Sequence, residues 1–118
     1  MADTLLDTDV LVDHLRGARR LEVAGDPAYS VVTRTELFAG RASQEAAVVR
    51  LLAPFRELPV EREVAERAGR LRREHGVRLA DALIATTALV HGLVLMTRNV
   101  RDFEAVPKLR IRAPDPAG

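Results

Sequence analysis

The sequence predicts an α/β fold, a parallel sheet covered by helices on both faces, and three observations carry that reading. Short apolar runs recur at residues 4–6, 29–33, 58–60 and 93–97. Segments of helical periodicity separate them, and glycine closes several of those segments, so strand and helix alternate along the chain. A length of 118 residues, 47% of them hydrophobic, suits one modest core, and a single domain over residues 1–118 is expected.

Taken in order, residues 4–6 (TLL) read as a short buried strand and 10–15 as a helix ended by Gly17. Gly17, Gly25 and Pro27 make residues 16–27 a loop. Residues 29–33 (YSVVT) read as a second strand, because Val31 and Val32 are β-branched and turn residues precede them. A short helix over 34–41 follows, then another over 44–55 with Pro54 marking its end, then a third strand at 58–60. Over 61–74, Val64, Ala68 and Leu71 recur at helical spacing among charges, which gives a surface helix with an apolar stripe. Residues 79–90 are apolar almost all round, so that helix is expected to be buried over most of its circumference. Gly76 and Gly92 supply left-handed caps to these two helices, with His75 and His91 at the negative ends of their dipoles. Residues 93–97 (LVLMT) read as a fourth strand and 110–112 as an edge strand.

Composition narrows the chemistry. There is no cysteine, which excludes a disulfide scaffold, a zinc–thiolate site and a thiol nucleophile, and leaves oxygen or imidazole to hold any metal. The start of the chain has Asp3 in place of a basic cluster, and no apolar run approaches the ~20 residues of a membrane span. A soluble, cytoplasmic protein with no membrane partner is expected. The 18 basic and 17 acidic residues nearly cancel, so no global basic field announces a nucleic acid. Only Lys108 among the basic residues is not arginine, a bias that suits phosphate contact but that GC-rich coding explains more readily.

In parallel α/β sheets, ligands lie beyond the carboxyl ends of the strands. Asp7 directly follows the first strand, Glu36 lies within a turn of the second, and Thr97 closes the fourth, with Asn99 and Asp102 just after it. Asp81 stands in the first turn of the apolar helix. Each acid has a plainer reading. Asp7 with Thr8 caps the following helix, Thr33 to Glu36 has the spacing of a capping box, and Asp81 gains from the helix dipole. Asp81 resists the plain reading best, because an unpaired carboxylate among Leu79, Ala80, Ala82, Leu83 and Ile84 is costly to bury. A divalent cation removes that cost and keeps mutually repelling carboxylates ionised. Hard oxygen donors point to magnesium or manganese.

Rival sites fail on inventory. His14, His75 and His91 have no ligand spacing, there is no Gly-rich phosphate loop, and no serine sits in a nucleophile elbow. A receiver-like signalling domain would want an adjacent acidic pair after the first strand and a lysine after the last. Lys108 is the sole lysine.

The blocks TLLDTDVLVDHLRG, VVTRTELFAG and LADALIATTALVHGLVLMTRNVRDF, in that order over nearly the whole chain, resemble the signature blocks of PIN-domain proteins, specifically VapC-type toxins of bacterial toxin–antitoxin pairs. The resemblance implies a three-layer α/β/α sandwich with a central parallel sheet, magnesium- or manganese-dependent RNA cleavage, a homodimer, and neutralisation by a VapB-like antitoxin. It matches the family's first three acids to Asp7, Glu36 and Asp81. At the fourth position, where many relatives have aspartate, stands Asn99, with Asp102 three residues further on. Position 9, often asparagine in the family, is Asp9, which either restores the lost charge or caps the helix. Thr97 matches a hydroxyl residue that orients the site.

The expected mechanism is hydrolysis of RNA phosphodiester bonds by metal-activated water, with Arg34, Arg98 and Arg101 as candidate phosphate contacts. The alternative is a non-catalytic module of the same fold that binds nucleic acid or a partner, its metal site weakened at the fourth position.

Overall fold

The computed structural model describes residues 3–17, 23 and 25–114. Residues 18–22 and 24 of the expected loop lie outside the described residues.

Five short strands form one parallel sheet: β1 (Thr4–Leu6), β2 (Ala28–Ser30), β3 (Arg56–Leu58), β4 (Val94–Met96) and β5 (Ile111–Arg112). Their order is β3-β2-β1-β4-β5, every neighbouring pair parallel. The chain steps from β1 outward to β3, then crosses back to lay β4 on the other side of β1. The point where the order reverses is the gap between β1 and β4.

Alternation along three-residue strands feeds two cores. Leu5, Ala28 and Leu95 face a cluster with Ala68 and Leu71 of α4 (Arg62–His75) and Ala82, Ala85 and Ala88 of α5 (Leu79–His91). Leu6, Tyr29 and Met96 point the other way, against Val10 and Leu11 of α1 (Thr8–Leu15) and Val48 and Leu52 of α3 (Glu45–Leu52). The result is the three-layer α/β/α sandwich with a central parallel sheet that was expected, PIN-like in its layers. Burying each such leucine contributes roughly 1.5–3 kcal/mol. Two glycines in the left-handed region, Gly76 (φ 69°) and Gly92 (φ 67°), end α4 and α5.

Several boundaries differ from expectation. Strand β2 stops at Ser30, whose hydroxyl accepts from the Val32 N–H at 3.1 Å and so starts α2 (Val31–Phe38), placing Val31 and Val32 in a helix instead of a strand. The expected capping box therefore does not form: Thr33 is fully buried inside α2 and cannot be its N-cap. Strand β3 lies at Arg56–Leu58 and not at 58–60. It is an edge strand, held by pairing of Tyr29 with Glu57 and of Ala28 with Arg56, and Pro59 follows it. A four-residue helix, α6 (Val100–Phe103), was not foreseen. The helix expected over 44–55 is α3 (Glu45–Leu52), preceded by a 3₁₀ turn (Ala42–Gln44) and ending three residues early.

A candidate active site at the strand-order reversal

Asp7 sits at the β1–β4 gap, 5% exposed, as N-cap of α1. Its two oxygens are separately held. Oδ1 accepts from the Thr8 N–H at 2.8 Å and Oδ2 from the Thr97 hydroxyl at 2.7 Å. Thr97, fully buried just after β4, is itself oriented by the Asn99 N–H, which donates to its Oγ1 at 3.0 Å. Capping and site-building are thus one geometry at this residue, and the plain reading and the functional one do not compete.

Asp9 follows two residues later, in the first turn of α1. Its Oδ2 accepts from the Arg98 N–H at 3.1 Å and lies 3.3 Å from Thr97 Oγ1, whereas its Oδ1 is buried with no hydrogen-bond partner. A buried acceptor left unpaired is costly unless something positive reaches it. Glu36, on an exposed turn of α2, accepts from the Thr8 hydroxyl at 2.6 Å, and that hydroxyl is also hydrogen-bonded to Thr33 at 3.0 Å. Thr8 thereby ties α1 to α2. Asp81, in the first turn of α5, is half-buried.

Electrostatics joins these acids into one unit. Burial pushes the Asp7 carboxyl from 3.8 up to about 7, the Thr97 hydroxyl and Thr8 N–H pull it back, and the charges of Asp9 and Asp81 raise it further. Burial also raises Asp9, opposed by the N–H and guanidinium of Arg98. Asp81 is raised by burial first; Arg78 opposes this, and Asp102, Glu36 and Asp9 add to it. The most strongly perturbed acid is Asp7, not Asp81, which was expected to resist the plain reading best.

Charge links Asp7 to Asp9 and Asp81, and Asp81 to Glu36, Asp9 and the exposed Asp102 on α6. Asn99 is exposed and contributes its backbone N–H through Thr97. Of the three arginines, Arg98 lies at the cluster, its Nε 3.0 Å from Asp13 Oδ2 and 3.9 Å from Asp9 Oδ2. Arg101 stands exposed on α6. Arg34 is engaged elsewhere, donating to Glu57 at 2.5 Å and to the Tyr29 hydroxyl at 2.9 Å. Asp13, buried on α1 and paired with Arg98, is absent from the sequence reading. Its signal was available, since Asp9 and Asp13 are four apart and share a helix face.

The donor set fits a hard divalent cation. All donors are oxygens, Asp9 Oδ1 is buried and unpartnered, and the carboxylates raise one another's proton affinity. As placed they are neighbours through charge: among the described residues no three acidic or histidine side chains converge closely enough to ligate one ion directly.

The PIN domain family model matches residues 4–109. Ribonuclease VapC10 of Mycobacterium tuberculosis is 44% identical, over 90% of each chain. Ribonuclease VapC19 of the same organism is 36% identical, over 90% of this chain and 96% of its own. A toxin–antitoxin complex from Klebsiella pneumoniae contains a chain of the same fold, TM-score 0.82 and 34% identity, with 96% of this chain and 98% of that chain covered.

Proposed function

The chain belongs to the PIN-domain family, and from that membership we infer that it is a metal-dependent ribonuclease, the toxin of a type II toxin–antitoxin pair. Its inhibitor is an antitoxin of the VapB type, and its substrate is RNA. The whole of residues 1–118 acts as one domain in the cytoplasm, where the absence of cysteine is at home. Among the described residues no helix is long and apolar enough to cross a membrane. Pairing with a second copy of the chain belongs to this reading through the family resemblance.

Asp7, Glu36 and Asp81 are the acids that would hold the metal, magnesium or manganese. When bound, such a cation lowers the pKa of a water and offsets charge at the scissile phosphate. Thr97 fixes Asp7 and Thr8 fixes Glu36, so two of the three acids are oriented before any substrate arrives. At the fourth position Asn99 brings no charge. Asp9 and Asp102 carry that charge instead, Asp9 from inside the pocket and Asp102 from its rim. Arg98, braced by Asp13, is the phosphate contact nearest the acids, and Arg101 is a second. Arg34 is the weakest of the three, because Glu57 and Tyr29 already occupy its donors.

The observation that carries this reading is the buried Asp7 carboxyl at the β1–β4 gap, pinned by Thr97 and facing the charges of Asp9 and Asp81. Cleavage of total cellular RNA by antitoxin-free protein with magnesium or manganese tests it, wild type against Asp7→Asn. Cutting by the wild type and none by the variant is expected. A wild type that binds metal and cuts no RNA, with growth inhibition in cells unchanged by Asp7→Asn, overturns it in favour of a non-catalytic binding module.

A further inference from the structure

Next to the acid cluster a cavity of about 610 Å³ opens between α1, α2 and α3. Its buried lining is apolar, from Leu37 and Val48, with Val12 and Leu15 half-buried beside them. Its exposed lining is polar: Arg16, Arg41, Gln44 and Glu36. Glu36 is also a member of the acid cluster, so cavity and cluster share a wall. Arg16 and Arg41 make no ion pair among the described residues, in contrast to Arg34, Arg56, Arg67, Arg73 and Arg98.

We propose that this cavity receives the base of an unpaired RNA nucleotide flanking the scissile phosphate, and so selects where the chain cuts. The proposal rests on the ribonuclease reading above. Three features match that occupant. A flat apolar base, splayed from a single-stranded segment, fits an apolar floor in a cavity within the usual size range for small-ligand sites. Gln44 offers both a donor and an acceptor to a base edge, the minimum needed to tell one base from another. Two unneutralised guanidinium groups at the mouth suit the flanking phosphates, and arginine planes also stack on bases. Because Glu36 is common to both spaces, a base seated here leaves its own phosphate at the acids. A protein segment of the antitoxin would use the apolar floor, yet the continuity with the acids and the paired free cations favour a polyanion.

Two measurements test this, on the full chain free of antitoxin. First, the 5′ ends of RNA fragments are sequenced for wild type, Gln44→Ala, Arg41→Ala and, as a control on distant α4, Arg73→Ala. The expected result is metal-dependent cleavage by all four, with the wild type's preferred nucleotide beside the cut relaxed several-fold in Gln44→Ala and unaltered in the control. Second, binding of a single-stranded RNA octamer is measured without divalent cation, so that it does not depend on cleavage. The slope of log affinity against log salt should shrink by about 0.7 for each arginine removed at positions 16 and 41. An unchanged cut preference in Gln44→Ala together with an unchanged salt slope overturns the base pocket while leaving the ribonuclease reading intact. Loss of antitoxin neutralisation in these variants with cut preference and slope unaltered also overturns it, and assigns the cavity to the protein partner. Absence of RNA cleavage by the wild type instead counts against the parent reading, and the salt slope then decides the pocket alone. Circular dichroism confirms that each variant folds.

Discussion

Two polar clusters ride on the same sheet and are built in opposite ways. On the β2–β3 side, the Tyr29 hydroxyl donates to Glu57 at 3.0 Å, and Arg34 donates to both, with its guanidinium 5.9 Å from the Phe38 ring centre. There every charge meets its opposite, and Arg34 holds Glu57 below the ordinary carboxylate range. At the β1–β4 gap, acids meet acids, and burial raises Asp7, Asp9 and Asp81 alike. The first cluster is a finished structural joint. The second is held together by hydrogen bonds from Thr97, Thr8 and Arg98 against its own repulsion, an arrangement that favours the fold less and leaves oxygens available for chemistry.

The contrast is broken most severely by Asp7→Asn. Cleavage should fall by at least about 100-fold, since even outer partners of metal ligands are worth 10–100-fold, as read by gel assay of RNA. The same variant should be more stable than the wild type at pH 8 without divalent cation, by up to about 4 kcal/mol, the equivalent of a carboxyl raised from 3.8 to about 7. The two clusters should also respond to pH with opposite signs. Folded Asp7 keeps its proton to about pH 7 and the unfolded chain loses it near 3.8, so its contribution is fully present below pH 3.8 and disappears as pH rises toward 7. Glu57, lowered by Arg34, contributes above its unfolded pKa and loses that contribution as pH falls. Urea unfolding of metal-free protein at pH 5 and pH 8 should show stability dropping with pH, and excess magnesium should flatten the drop.

Thr97→Val is a smaller break. It removes the hydroxyl that donates to Asp7, and should cost roughly 1.5–3 kcal/mol for a hydrogen bond to a charged group and about 10–100-fold in cleavage. Denaturation and RNA assays on one preparation check both. The mildest change is Glu57→Gln on the other cluster. Its pair with Arg34 is about 38% exposed on both sides, so the loss should stay below about 1 kcal/mol with cleavage unaltered. A large effect of Glu57→Gln on cleavage would erase the distinction between the two clusters.

What the sequence disclosed follows from what is local. Caps such as Gly76 and Gly92, the all-round apolar α5 and the stripe of α4 are short-range patterns, and they were legible. Strand β3 was not, because Arg56 and Glu57 owe their extended conformation to pairing with β2 and not to their own preferences. Val31 and Val32 misled for the same reason in reverse, since the Ser30 hydroxyl at the head of α2 outweighed β-branched propensity. In the site, Asp7, Glu36 and Asp81 could be named from their places at strand and helix ends. Thr8, which joins Glu36 to α1, depends on a partner 28 positions away and gave no local sign of that role, whereas Asp13, which braces Arg98 from 85 positions away, showed only its helix-face spacing with Asp9.

The Thr97 hydroxyl reaches Asp7 across 90 positions of chain. A ribosome adding about 5–20 residues per second therefore releases the two halves of this contact several seconds apart. Until β4 has emerged and docked beside β1, Asp7 has no hydroxyl to orient it, and Asp81 lies on a helix that has no completed sheet to pack against. The site is thus incomplete throughout most of the chain's manufacture. Asp7 is among the first residues made, and its competence comes among the last.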